Sequence, residues 1–181
     1  MSLIKPFSGI RPKKRYAKLI TSPNISYFDN YKVNNRLNFL NLLNASNINK
    51  SKKILLDLRK KGIIQQDQSN HFYLYRITYG KKNLLGIVGK INLNNYDDKK
   101  ILGHEETFVE RIKKRKEQLI KFKSQISPIY TTYKINQTSL KKLKNIFKSK
   151  PDYHLKTKDN CIHELWVVRK ENLEKLVKNY I

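Results

Sequence analysis

"HFYLYRITYGKKNLLGIVGKINL", residues 71–93, decides the fold. It is rich in aromatic and β-branched residues, which suit a pleated, half-buried surface. "GKKN" breaks it in the middle, as a hairpin turn would. The stretch therefore predicts a strand over Phe72–Tyr79, a turn, and a second strand over Leu84–Leu93. Working outward, "CIHELWVVR" (161–169) alternates well enough to be another strand. "ISPIYTTYKI" (126–135) reads as a strand with Pro128 near its start, which suits an edge or a strand entry. Tyr73, Tyr75, Tyr130 and Tyr133 fall at strand spacing and are expected to pack in the core, as is Trp166.

Around these runs the period changes from two to that of a helix. "NNRLNFLNLLN" (34–44) sets Leu37, Phe39, Leu40 and Leu43 at mostly helical spacing. "KSKKILLDLRKKGII" (50–64) does so with Ile54, Leu55 and Leu58, then stops at Gly62, a natural residue just past a helix end. A long helix is expected from about Thr107 to Lys123. A shorter one places Leu140, Leu143, Ile146 and Phe147 on one face, and "KENLEKLVKNYI" (170–181) is a last helix. "LIKPFSGIRP" (3–12) reads as an extended arm with turns at Pro6 and Gly9. The expected fold is α+β: one domain over 1–181 with a central, mostly antiparallel sheet packed by helices. That sheet is built from the hairpin 72–93 and strands near 126–135 and 161–169.

Composition bounds the function. The 181 residues carry a formal net charge of +25, so polyanions are attracted. Nucleic acid, acidic membrane and phosphorylated small molecules are all candidate partners. The charge is mostly lysine, scattered rather than gathered in a stripe, and no nucleic-acid-binding motif is present. Aromatics interleaved with cations in "YRITYGKK" (75–82) would nonetheless stack on bases. The single Cys161 rules out an intramolecular disulfide and a cysteine-based zinc site. No apolar run approaches the roughly 18 residues of a membrane span. The N-terminus lacks the apolar region of a signal peptide, so a cytoplasmic location is expected.

"ILGHEETFVERIKKRKEQLIKF" (101–122) holds the most concentrated chemistry. Thr107 and Glu110 form a T-x-x-E capping box. His104, Glu105 and Glu106 then lie just before a helix N-terminus, where backbone N–H groups and the dipole favour anions. Arg111 and Arg115 are one turn apart and extend that anion site. A carboxylate here can take a hydroxyl proton or help hold a magnesium ion. The cations can neutralise phosphate oxygens as charge develops. The plainer alternative stays open: His104 bonds a turn carbonyl and Glu105 is a solvated acid. The pattern is not H-E-x-x-H, and no metal-ligand set is assigned.

Several patches together resemble the domain of unknown function 1015 family. They are "IKPFSGIRPKKRYA" (4–17), "NNRLNFLNLL" (34–43), "FYLYRITYGKKNLLGIVGKINLNNYDDKKILGHEET" (72–107), "KRKEQLIKFKSQISPIYTTY" (114–133) and "HELWVV" (163–168). Lys114 stands where the family has the Asp of an Asp-Arg pair, although Arg115 is kept, and "SPNIS" (22–26) replaces a Pro-Pro-Tyr-Asp turn. Family members commonly continue into an Asp-Gly-His-His-Arg segment that is similar to one in ParB/sulfiredoxin-like serine kinases. The sequence to Ile181 does not contain it, so the resemblance implies the N-terminal part of a longer or two-chain architecture, with a fold ParB/sulfiredoxin-like in part and a partner chain carrying the segment as one expectation. The resemblance implies transfer of phosphate between free serine and a donor such as pyrophosphate or ADP, magnesium being a candidate cofactor. It implies that Glu105 is the base or polar anchor at the serine hydroxyl and that His104 orients it or contacts phosphate. Thr107, Arg115 and Ser127 would bind phosphate oxygens or support the corner. Ser127 has a plainer reading as the end of the loop before Pro128. A basic nucleic-acid-binding protein and a non-catalytic partner subunit are the alternatives.

Overall fold

The computed structural model describes residues 3–21, 35–43, 47–97, 99–103, 108–126, 128–133 and 137–169. It is α+β, and every strand pair is antiparallel. The hairpin forms as its composition requires: β4 (His71–Tyr79) pairs with β5 (Lys82–Val88) from Tyr73↔Val88 to Tyr79↔Lys82. Gly80 turns the chain with a φ of 57°, a conformation that glycine adopts without strain. On its other side β4 pairs with β8 (Ile162–Arg169), and β8 pairs with β7 (Tyr153–Lys156). The sheet order is β5-β4-β8-β7.

The expected second strand of the hairpin divides at Gly89. There β5 ends, and β6 (Lys90–Ile91) leaves to pair with β1 (Ile4–Lys5) of the N-terminal arm. A Cβ on Gly89 would lie 3.0 Å from the Lys5 carbonyl oxygen, so glycine eases the close crossing of the arm. The arm continues into β2 (Ile10–Pro12), which pairs with β3 (Ile64–Gln66).

The expected strand at 126–135 is not found: residues 126 and 128–133 form no strand, and 134–136 lie outside the described residues. The sequence there has strand propensity but pairs with neither edge of the four-stranded sheet. One edge of the four-stranded sheet is β5, and the other is β7, from a segment whose sequence reads as irregular. Pro128 also lacks an N–H for a ladder. Tyr130 is accordingly 71% exposed and Tyr133 is exposed, against the expectation that both are core. Tyr73 and Trp166 are buried as expected, and Tyr75 is half-buried.

Alternation puts Phe72, Leu74, Trp166 and Val168 on one face of β4 and β8. They form a core with Leu143 and Phe147 at the end of α6 (Gln137–Ile146). Phe147 meets Trp166 edge-on with centroids 5.0 Å apart. A second core joins Ile20 of α1 (Ala17–Ile20), Leu42 of α2 (Leu40–Leu43), Leu55 and Leu58 of α3 (Ile48–Lys60), and Phe122 of α5 (Val109–Phe122). The α3 helix has sequence-legible ends. The Asn47 side chain accepts from Lys50 N–H at 2.9 Å, and Gly62 follows with a φ of 62°. A four-residue helix, α4 (Asn94–Asp97), follows β6. The last helix expected, 170–181, lies outside the described residues. Among the described residues, no helix is long and apolar enough to cross a membrane.

One of the two buried carboxylates among the described residues lies on this sheet. Glu164 is buried, accepts from Arg76 Nε at 2.5 Å and meets His154 Nδ1 at 3.2 Å. Arg76 in turn lies over the Trp166 ring, 5.1 Å from its centroid. The Arg76 hydrogen bond outweighs burial and holds the Glu164 carboxyl below its ordinary value of 4.5. A depressed folded-state pKa gives stability that is present above 4.5 and lost as pH falls through the lowered value. Each pKa unit of depression is worth about 1.4 kcal/mol. Thermal unfolding followed from pH 6 downward, at pH steps on the order of one unit, should therefore show a shallower acid loss in Glu164→Gln than in the parent. Equal slopes would assign the acid loss to other carboxylates.

Candidate functional site

The arm "FSGIRP" (7–12) builds the most densely bonded polar cluster among the described residues. Phe7 exchanges both backbone hydrogen bonds with His71, at 3.0 and 2.9 Å, and β2 follows β3. This path lays Ser8, Gly9 and Arg11 over Asp67 and Tyr73. The Gly9 N–H donates to the Tyr73 hydroxyl at 2.7 Å, and a Cβ there would come within 2.6 Å of the same oxygen. Glycine is needed for that approach.

Asp67 is the centre of the cluster, its side chain 5% exposed. Arg11 Nε donates to both carboxylate oxygens at 2.9 Å, and its Nη2 lies 2.7 Å from Oδ1. The Tyr73 hydroxyl donates to Oδ2 at 2.6 Å. Arg11 Nη1 also donates to the Tyr153 hydroxyl at 2.6 Å, which donates onward to the Pro12 carbonyl at 2.6 Å. Burial alone would raise the Asp67 carboxyl. The hydrogen bonds from Arg11 and Tyr73 outweigh burial and lower it, so Asp67 stays ionised. The hydrogen bond to Asp67 raises Arg11 further above its usual range against the pull of burial. Burial and Asp67 together push the Tyr73 phenol up, so it remains a donor.

Beside this cluster lies an open cleft of ≈ 730 Å³, lined by Arg11, the run 65–71 and Arg169. His71 stands directly opposite Arg169 across β4 and β8. The His71 Nε2 meets Ser69 Oγ at 3.0 Å, whereas its Nδ1 is buried with no hydrogen-bond partner. Buried polar atoms usually find partners, so the orphaned Nδ1 is an unmet hydrogen-bonding demand beside the cleft. The lining combines two guanidiniums, an imidazole, side-chain amides and a hydroxyl. Its one carboxylate is already neutralised by Arg11. Such a surface suits a small polar anion.

The structure treats the sequence-derived candidates unevenly. Helix α5 starts at Val109, with Phe108 at the N-cap and no side-chain cap. Glu110 is therefore the second helical residue, and Thr107, the expected N-cap, lies outside the described residues. Arg111 and Arg115 do lie one turn apart on α5, and both are exposed. The Arg111 guanidinium covers the Phe108 ring at 5.2 Å, and Arg115 Nη1 donates to Gln118 Oε1 at 3.2 Å. His104, Glu105, Thr107 and Ser127 lie outside the described residues. Sequence reasoning did not single out Arg11, Asp67, His71 or Arg169. The arm is legible as a pattern, but Arg11's partner Asp67 is 56 residues away and no local spacing joins the two.

A family model described as "Protein of unknown function (DUF1015)" matches residues 4–180. No curated protein and no solved structure matches the chain.

Proposed function

The chain belongs to the domain of unknown function 1015 family, and from that premise we propose that it is a phosphotransferase-type domain. Its substrate would be free serine or O-phosphoserine, with pyrophosphate or ADP as the phosphate carrier. The observation that carries this reading is the cleft lined by Arg11, Arg169 and His71. Arg169 and His71 take phosphate oxygens there, and the amide-rich run 65–70 suits the polar backbone groups of an amino acid.

The chemistry rests on the corner that resembles the family's. Glu105 takes the proton from the serine hydroxyl as its oxygen bonds phosphorus and the donor's bridging P–O bond breaks. His104 orients Glu105, while Thr107 and Ser127 hydrogen-bond phosphate oxygens and Arg111 and Arg115 offset charge on the transferred group. Magnesium has no described cage here. The one carboxylate lining the cleft, Asp67, is engaged by Arg11 and Tyr73, and magnesium prefers several oxygen ligands in near-octahedral array. No step is therefore assigned to it.

The test is exchange of labelled phosphate between serine and O-phosphoserine in the presence of pyrophosphate or ADP. Glu105→Gln should lower the exchange rate by about 10²–10⁴-fold, the usual contribution of a positioned base. Equal exchange by the parent and Glu105→Gln would remove Glu105 from the mechanism. The charge of +25 favours a second reading, a basic nucleic-acid-binding protein. Micromolar binding of single-stranded DNA at physiological salt, falling steeply as salt rises, would support it over the first.

A further inference from the structure

The β7–β8 hairpin carries a second cluster that shares no residue with the cleft. "TKDNCIH" (157–163) places Thr157, Asp159, Cys161 and His163 at alternate positions. The hairpin closes on itself: Thr157 N–H donates to the Cys161 carbonyl at 2.9 Å, and Asn160 turns the chain with a φ of 59°. This brings one donor atom each of Asp159, Cys161 and His163 within 4.8 Å of one another. All three residues are half-buried.

We propose that Asp159, Cys161 and His163 form a binding site for a borderline divalent transition metal ion of the zinc or cobalt type. The lone cysteine excludes a centre made of cysteines, but not a mixed one. One thiolate, one imidazole and one carboxylate are a donor set that zinc accepts at about 2.0–2.3 Å, leaving a fourth position for water. Tetrahedral ligands at those lengths stand about 3.3–3.8 Å apart. The hairpin end therefore needs only a small contraction.

The surroundings are arranged as ligands require. The His163 Nδ1 lies 2.7 Å from the Tyr75 hydroxyl, and the two rings stack with centroids 6.1 Å apart. That contact fixes the ring and gives Nδ1–H an acceptor, the usual device for orienting a metal-bound imidazole. Nε2 has only a longer contact, 3.2 Å to Thr157 Oγ1, which a metal would displace. Thr157 Oγ1 and the Cys161 N–H both donate to Asp159 Oδ1, which leaves Oδ2 as the donor to the ion.

Cobalt(II) chloride titrated into the untagged full chain tests this, because Cys161 is the chain's single thiol. The expected result is one ion per chain with a thiolate-to-cobalt charge-transfer band that zinc removes. Cys161→Ser should abolish the band. His163→Gln and Asp159→Asn should each weaken binding at least about tenfold, with far-UV circular dichroism unchanged. Should one variant not fold, the other two still decide. Absence of the band in the parent overturns the proposal, as does cobalt affinity that all folded ligand variants retain.

Discussion

Asp67→Ala should lower stability by about 3 kcal/mol, the lower end of what breaking a buried ion pair costs. The carboxylate receives Arg11 in a two-oxygen fork and the Tyr73 hydroxyl besides. Its removal leaves Arg11 with Tyr153 alone, and Tyr73 keeps only the incoming Gly9 N–H and a 3.4 Å contact to the Phe7 carbonyl. Arg11 is 22% exposed, so water recovers part of the loss, which is why the upper end is not expected. For a chain of this size the melting temperature should fall by roughly 6–12 °C. Asp67→Asn keeps the shape and an acceptor oxygen, so its loss should be smaller. A melting temperature unchanged in Asp67→Ala would mean that the arm is held by its strand pairing alone.

Phe72→Ala should cost more, about 3–5 kcal/mol, because a large ring is deleted and the cavity left behind cannot fully collapse. Phe72 is 0% exposed and sits in the core with Leu143, Phe147, Trp166 and Val168. Its neighbours come from α6, β4 and β8 and the segment after α6, so no single element can move in to fill the space. Equilibrium urea unfolding would read the change as a lower midpoint with the slope kept. Phe72→Leu should retain most of the stability. A loss under about 1 kcal/mol in Phe72→Ala would show that the sheet face is not the packed centre described.

These two residues mark what could be read from sequence and what could not. Phe72 belongs to a run whose alternation announces its own strand, and β8 and the inner face of α6 announce themselves equally. Each is long enough for its period to show. The β7 strand is only four residues, and β1 and β6 are two each, so their pairing is set by where the arm crosses Gly89 rather than by local pattern. "ISPIYTTYKI" misleads for the converse reason: strand-like residues that pair with no edge of the sheet do not make a strand. Asp67 stands alone in "QQDQSN" with nothing beside it to mark it. Its meaning comes from Arg11, Tyr73 and Tyr153, which only the folded chain assembles. Of the corner at 101–122, the structure brings Arg111 and Arg115 to one face of α5. Its acid–base pair lies outside the described residues.

Calorimetric titration of O-phosphoserine into the parent and into Arg169→Ala tests the cleft most directly. Arg169 is exposed and ends β8, so its loss should leave the melting temperature unchanged. The expected result is saturable one-to-one binding, weakened at least about tenfold in the variant, or about 1.4 kcal/mol. No binding by the parent, or equal affinity in both proteins, would contradict the account.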